Sequence, residues 1–308
     1  MKPYYSIIVP VYNEEKNLPE LYNQLTVALE ILSKPWEIVF VNDGSIDASE
    51  QIIKKLVRQD KFVKAIFLSR NFGQQAAITA GLANSSGEIV AIMDADLQDP
   101  PEVMLKLFSQ LDKGYEVAYG ASVNRNDPLI RKFFFNLYYQ LMQKFSSYPI
   151  PPNAGIFAAM RRNVATSILT MQEQNRFLPA MRAWVGFKQV GVPYEKPNRF
   201  AGKENQSFLK LFKMGFDALL SFSNFPLRWA TILGIIVSFI AVILIINVLY
   251  QKFVTGAAIL GWASTLISIL FMGAVQLLTI GLIGEYLGRI YDEVKNRPYY
   301  IISKKEGF

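Results

Sequence analysis

The 308-residue sequence predicts an α/β fold: a mostly parallel sheet covered by helices, followed by a two-helix transmembrane hairpin. Short apolar runs alternate with amphipathic ones through the first part of the chain, which is the pattern of strand–helix–strand units. Each apolar run enters a polar or glycine-containing turn. Two long uncharged stretches then lie near the C-terminus. They carry much of the apolar fraction of 51% and of the mean hydropathy of +0.20.

In chain order, Ser6 to Val11, Trp36 to Asn42, Lys64 to Ser69 and Glu88 to Asp94 read as strands. Residues 14–33, 47–59 and 73–84 carry helical periodicity between them. Ligands of such sheets bind at the carboxyl ends of the strands. The clusters Asn13-Glu14, Asn42-Asp43 and Asp94 to Asp96 all fall there. Residues 229–250 and 259–284 contain no charged side chain, and each can cross ~30 Å of hydrocarbon as a helix. Arg228 precedes the first stretch, and Arg289, Lys295, Arg297, Lys304 and Lys305 follow the second, while the connecting loop offers Lys252. That asymmetry places both ends in the cytoplasm. Residues 130–145 and 207–225 are basic and rich in aromatics, a composition that suits the headgroup boundary.

The expected organisation is a cytoplasmic domain over 1–205 with an interfacial helix near 130–145, and a juxtamembrane amphipathic helix over 206–226. The hairpin then takes 227–288, and a cytoplasmic tail takes 289–308. Cysteine and histidine are both absent. That excludes disulfides, thiolate zinc sites, cysteine nucleophiles and the Ser-His-Asp triad. Chemistry must rest on carboxylates, Lys, Arg, Tyr, backbone amides or a hard, oxygen-bound metal. The net charge of +7 points to anionic lipid or phosphate-bearing substrates. No basic run with interleaved aromatics speaks for nucleic acid.

The sharpest local signal is DADLQDPPE at 94–102, directly after the apolar run IVAIM. Asp94 and Asp96 at a strand end can face one point and hold Mg²⁺ or Mn²⁺ through oxygen. Such an ion would neutralise the diphosphate of a nucleotide-sugar. SIIVPVYNEEKNLPEL at 6–21 ends a strand on Pro10, Tyr12, Asn13 and Glu14 before a helix begins. VNDGS at 41–45 sets Asp43 at a strand end, where it can accept a uracil imide proton or a ribose hydroxyl. In LSRNFGQQAAITAGL at 68–82, Arg70 and Asn71 can meet base or phosphate. The glycines there do not form the dinucleotide-binding fingerprint.

Together and in this order, these motifs closely resemble family 2 glycosyltransferases. The nearest branch is the bacterial polyisoprenyl-phosphate glycosyltransferases, relatives of dolichyl-phosphate mannose synthase. The resemblance continues through RFLPAMRAWVGF (176–187), RFAGKENQSFLKL (199–211) and GLIGEYLGRIYDEVKNRPYYII (281–302). It implies a Rossmann-like glycosyltransferase A-type domain that inverts the anomeric centre of a single transferred sugar. The donor would be a nucleotide-sugar, with UDP-glucose as the default, and the acceptor a polyisoprenyl phosphate such as undecaprenyl phosphate. By the same resemblance Pro10, Tyr12, Glu14 and Asp43 bind nucleotide, with Arg70 near the base. Asp94 lies near ribose and metal, and Asp96 ligates the metal. Arg199 and Lys203 hold phosphates in the acceptor loop. It also implies a multi-pass protein of the inner (plasma) membrane, packed as a homo-oligomer.

Three positions depart from the family pattern. Gly155-Ile156-Phe157 stands where many relatives carry Gly-Asp-Phe, so the base carboxylate is missing. Asn205 replaces a common lysine. An arginine expected after the strand at 116–121 gives way to Ser122 or Val123, leaving Arg125 as its substitute. Asp99 is the remaining candidate for a base. Two other classes stay open: a nucleotide-sugar-binding membrane protein without turnover, and a processive polysaccharide synthase. The latter lacks its expected glutamine, since Phe225 opens the stretch FPLRW.

Overall fold

The computed structural model describes residues 2–122, 154–197, 225–250, 253–254 and 261–308. The chain divides into one unit of Met1–Phe208 with Pro298–Phe308, and a second of Leu209–Arg297. In the first unit the strands are β1 (Tyr5–Val11), β2 (Trp36–Asn42), β3 (Val63–Leu68), β4 (Ile89–Ile92), β5 (Val117–Ser122), β6 (Ala154–Arg161), β7 (Gln189–Tyr194) and β8 (Ile302–Glu306). Its described helices are α1 (Leu18–Glu30), α2 (Ser49–Gln59), α3 (Gln74–Asn84), α4 (Pro101–Asp112), α5 (Arg162–Thr170) and α6 (Leu178–Trp184).

These strands form one eight-stranded sheet in the order β7-β5-β6-β4-β1-β2-β3-β8. The central block β4-β1-β2-β3 is parallel. β5 and β7 also pair parallel, and β6 and β8 alone run antiparallel to their neighbours, so the sheet is mostly parallel, as expected, with two reversed strands. Every residue of β1 is buried, as expected of a central strand covered on both faces. Ile7, Ile8 and Val9 are wholly inaccessible, and burial of side chains this size stabilises by roughly 1.5–3 kcal/mol each. One core cluster gathers Leu18, Leu21 and Leu25 of α1 with Met104 and Leu107 of α4. The other gathers Ala77 and Ile78 of α3 with Val164 and Ile168 of α5.

The order places β1 between β2 and β4, where chain direction around the sheet reverses. A cleft forms outside the strand ends at such a switch point. Here the opening has a local cause. The β1–β4 pairing ends at Ile8 opposite Ile92, whereas β1 continues along β2 through Val11 opposite Asn42. Pro10 falls in that one-sided extension and has no N–H to offer a further neighbour.

The segment after 289, expected as a tail, returns as strand β8 along β3. Ser69 N–H donates to Ile301 O at 2.9 Å, and Ser303 Oγ donates to Phe67 O at 2.9 Å. Its sequence ISKKE is polar because it covers an edge, where lysines are ordinary.

The second unit contains α7 (Phe225–Tyr250) and α8 (Trp262–Val294), which lie against each other. Among the described residues, one helix is long and apolar enough to cross a membrane, Phe271–Val294. The described apolar stretch of α7, Gly234–Leu244, is shorter, so the expected two-helix hairpin is not established by helix length. The helix α8 also runs past the expected end of the second span at 284, carrying an ion pair from Arg289 to Glu285 at 3.0 Å on its last turns. The interfacial helix near 130–145 and almost all of 206–226 lie outside the described residues.

Removing residues 299–308 should strip β3 of its edge partner. Thermal unfolding of the full chain lacking them should fall by roughly 4–10 °C, with faster amide exchange along Val63–Leu68. An unchanged melting temperature and unchanged exchange would show that β8 adds nothing to the sheet.

Candidate active site

A cleft of about 210 Å³ opens at the carboxyl ends of β1, β2 and β4. Its lining includes Pro10, Tyr12, Glu14, Asp43, Asp94 and Asp96, together with Asn71, Gly73 and Gln74. Six residues chosen from three separate sequence motifs therefore share one cavity, and Asn71 of a fourth motif joins them. Arg70 is not in that lining; it is exposed, with its guanidinium 4.3 Å from the Phe72 ring centroid. Arg125, Arg199 and Lys203 lie outside the described residues.

The side of the cleft at β1 and β2 is built from interlocked turns. Asn13 adopts φ 57°, a left-handed conformation that asparagine tolerates. Its Oδ1 accepts from Ile46 N–H at 2.9 Å, and its own N–H donates to Ser45 Oγ at 3.0 Å. Glu14 N–H donates to Ser49 Oγ at 2.9 Å, which ties the β1 loop to the start of α2. Gly44, at φ +65°, sits against the Arg70–Asn71 backbone, where a Cβ would come within 2.6 Å of both Arg70 C and Asn71 N. Any side chain there would push the two loops apart.

Asp43 is the fastener between them. Its two oxygens accept the N–H groups of Phe72 at 2.8 Å and Gly73 at 2.9 Å. Burial pushes its carboxyl up, against the opposing pull of those two amides and of Arg70. A carboxylate has about four acceptor sites, so Asp43 retains capacity toward the cleft while holding the 70–73 loop.

On the β4 side three carboxylates crowd into one turn. Asp94 is half-buried and accepts from Gln74 Nε2 at 2.7 Å. Asp96 is buried and accepts Gln98 N–H at 3.1 Å. Asp99 is also buried; it accepts the Tyr194 hydroxyl at 2.8 Å and Asp94 N–H at 3.3 Å. Leu97 is held at φ 62° within this turn, a costly conformation for such a side chain. Burial raises Asp94 to about 7, reinforced by the charges of Asp99 and Asp96 and opposed by Lys196 and Gln74. Asp99 is raised by burial, with Lys196 and Tyr194 opposing. With both oxygens engaged inside the turn, Asp99 is placed to hold its shape.

This donor set suits a hard divalent ion. Mg²⁺ is typically held by one or two carboxylates together with substrate phosphates. Among the described residues no group of three His, Cys, Asp or Glu side chains forms a cage. Asp94 and Asp96 open into a cleft large enough for a diphosphate, and their mutual repulsion is what a cation would relieve.

Residues 6–169 match the model of glycosyl transferase family 2. The chain belongs to that family. The uncharacterized glycosyltransferase YkcC of Bacillus subtilis (strain 168) is 40% identical over 98% of this chain and 94% of its own. The SfII prophage-derived bactoprenol glucosyl transferase of Shigella flexneri is 39% identical over 97% of each chain. A crystal structure of glucosyl-3-phosphoglycerate synthase from Mycobacterium tuberculosis, in complex with Mn²⁺, UDP-glucose and phosphoglyceric acid, covers 71% of this chain and 78% of that chain, at 16% identity and a TM-score of 0.47.

Within this family 2 glycosyltransferase, four site residues escaped the sequence reading. Gln74 orients Asp94 from the start of α3. Tyr194 and Lys196 reach the carboxylate turn from the end of β7, and Gln98 Nε2 donates to Pro197 O at 3.3 Å. Tyr299, beyond α8, is pushed up to about 12 by burial, with Arg176 opposing and Asp43 adding to the rise. Tyr194, Lys196 and Tyr299 lie more than ninety residues from the motif they serve, and no local periodicity marks them.

The raised Asp94 gives a signed pH dependence. Its folded value lies above the ordinary 3.8, so its contribution to stability is complete below the unfolded value and lost as pH rises through about 7. In EDTA, the melting temperature should fall between pH 6 and pH 8, and Asp94→Asn should flatten that slope. An equal slope in the two proteins would mean the crowding of charge is not felt.

Proposed function

We infer that this enzyme transfers one glucose, with inversion, from UDP-glucose to a polyisoprenyl phosphate such as undecaprenyl phosphate. The observation that carries this reading is similarity along 97% of both chains to a protein named bactoprenol glucosyl transferase, with the donor cleft intact. UDP lies against Pro10, Tyr12, Glu14 and Asp43, and Arg70 supports the base-side loop from outside the lining. Asp94 and Asp96 would hold Mg²⁺ or Mn²⁺ against the diphosphate. When bound, that ion neutralises charge on the departing UDP.

The acceptor explains why Ile156 is tolerated where relatives carry a carboxylate. A phosphate monoester has a second pKa of ~6 and is mostly dianionic at neutral pH. A phosphate oxygen attacks C1 of the sugar as the bond from C1 to UDP breaks. No proton has to be removed, so the protein need only position the dianion and shield it from the donor. Arg125, Arg199 and Lys203 supply positive charge for that role. Asp99 acts through the turn it braces rather than as a base.

The membrane provides the acceptor. The candidate span in α8, the uncharged residues 229–250 and the distribution of Lys and Arg support a two-helix hairpin in the inner membrane, with the catalytic domain and both termini cytoplasmic. A homo-oligomer joined through these helices fits the same arrangement.

Mass spectrometry of lipids after incubation with undecaprenyl phosphate and a panel of nucleotide-sugars tests the reaction. The expected product carries one added hexose, formed best from UDP-glucose. EDTA should abolish it, and Asp96→Asn should lower the rate roughly 10²- to 10³-fold, the scale of losing one group that stabilises developing charge. A polymeric product, or no product from any donor, would refute the assignment.

A further inference from the structure

The side chain of Arg182 is wholly buried in α6, with 0% exposure. One guanidinium nitrogen, Nη2, donates to Gly155 O at 2.8 Å. The other two, Nε and Nη1, have no hydrogen-bond partner. The guanidinium lies 5.6 Å from the Tyr119 ring centroid, and among the described residues no carboxylate pairs with it. Burial lowers its pKa to about 10, so it is cationic at neutral pH. A buried charge with unused donors is costly, and proteins usually pair such groups. Two of its nitrogens are thus left without an acceptor among the described residues.

The place of this charge in the sheet says what could complete it. β4 and β6 pair antiparallel, with Ile92 opposite Ala158. The pairing ends there as β4 turns into the carboxylate motif, and Gly155 lies three residues before Ala158 on β6, toward that same end of the sheet. Arg182 is therefore anchored toward the end of the sheet that carries the carboxylate turn, one residue from Ile156, where the resemblance leads one to expect a carboxylate. Gly155 is exposed, and a Cβ built on it would find no atom closer than Phe157 N at 3.9 Å. Among the described residues, the space beside the residue whose carbonyl holds the guanidinium is thus open. A second buried polar atom without a partner, Ser122 Oγ, lies at the carboxyl end of β5. β5 is antiparallel to β6, so that end and Gly155 share the ligand side of the sheet.

We propose that Arg182, anchored on the Gly155 carbonyl, is a recognition residue for the phosphate monoester of the acceptor. It supplies N–H donors and a fixed positive charge where this chain has lost a carboxylate. A carboxylate at 156 would compete for the same guanidinium, so Ile156 and Arg182 form a matched pair. The assignment rests on the lipid-phosphate reading for the identity of the anion, whereas the anion subsite itself rests on the buried guanidinium.

Two measurements on the full-length protein in detergent keep those claims apart. The first is direct binding of farnesyl phosphate without donor, with farnesol and inorganic phosphate as controls. Wild type should bind farnesyl phosphate well above farnesol. Arg182→Met, which fills the space without charge, should bind it about 10- to 100-fold more weakly, with Arg182→Lys between. UDP affinity should be the same in all three. Inorganic phosphate competing as well as farnesyl phosphate would place a free anion, rather than a lipid headgroup, in the subsite and overturn the acceptor assignment. Gly155→Val, which occupies the open space and leaves Arg182 intact, should weaken farnesyl phosphate as well, and it decides the matter should Arg182→Met fail to fold. The second measurement is transfer from UDP-glucose to undecaprenyl phosphate, where Arg182→Met should raise the acceptor KM with donor KM unchanged. Equal farnesyl phosphate affinity in wild type, Arg182→Met and Gly155→Val would overturn the inference. Arg182-dependent binding without any transfer would leave the subsite standing and remove the proposed reaction instead.

Discussion

Three carboxylates confined to one turn at the end of β4 set the terms for the rest of this protein. Burial raises the proton affinity of Asp94, reinforced by the charges of Asp99 and Asp96, and burial with the charge of Asp96 raises that of Asp99. A fold would not gather them for stability, since each like-charge contact opposes the folded state. The surrounding structure is spent on holding them in place. Tyr194 and the Asp94 amide fix Asp99, Gln74 fixes Asp94, and Gln98 bridges to the chain beyond β7. The arrangement makes chemical sense when a divalent cation and a diphosphate complete it.

The half of the cleft beside β2 answers to the same turn from across β1. Early termination of the β1–β4 pairing opens the sheet, and Asp43 closes the other side by pinning the 72–73 amides. Gly44 permits that approach because no side chain intervenes. The C-terminal strand lines the edge that carries this loop, with Ser69 bonded to Ile301 and Tyr299 close enough to Asp43 to feel its charge. Base-side geometry thus depends on residues at both ends of the chain. On the acceptor side, by contrast, the described residues offer Arg182 and an apolar Ile156, a division suited to an acceptor that arrives already ionised.

Much of this was legible in the sequence, for identifiable reasons. The four central strands are buried on both faces, so their apolar runs stand out, and β1, β2 and β4 end on polar residues that line the cleft. Asp94 and Asp96 were legible because a polar pair directly after IVAIM has no structural excuse. β8 was not, because ISKKE is an edge strand whose polar composition resembles a tail. The reversal of β6 and β8 was hidden as well, since strand direction is decided by long-range pairing that local pattern does not encode. Lys196, Tyr194 and Tyr299 reach the site only through the fold. Arg182 lay in plain view within RFLPAMRAW, but a lone arginine in a helix gives no sign of its burial until its partners are counted.

The central claim is that the carboxylate turn becomes a nucleotide site only with a divalent cation. Calorimetric titration of UDP into the full-length protein, with Mn²⁺ or Mg²⁺ and then with excess EDTA, addresses it directly. The account predicts UDP affinity at least about tenfold weaker in EDTA, with Asp96→Asn binding weakly under both conditions. Equal UDP affinity with and without the cation would contradict it.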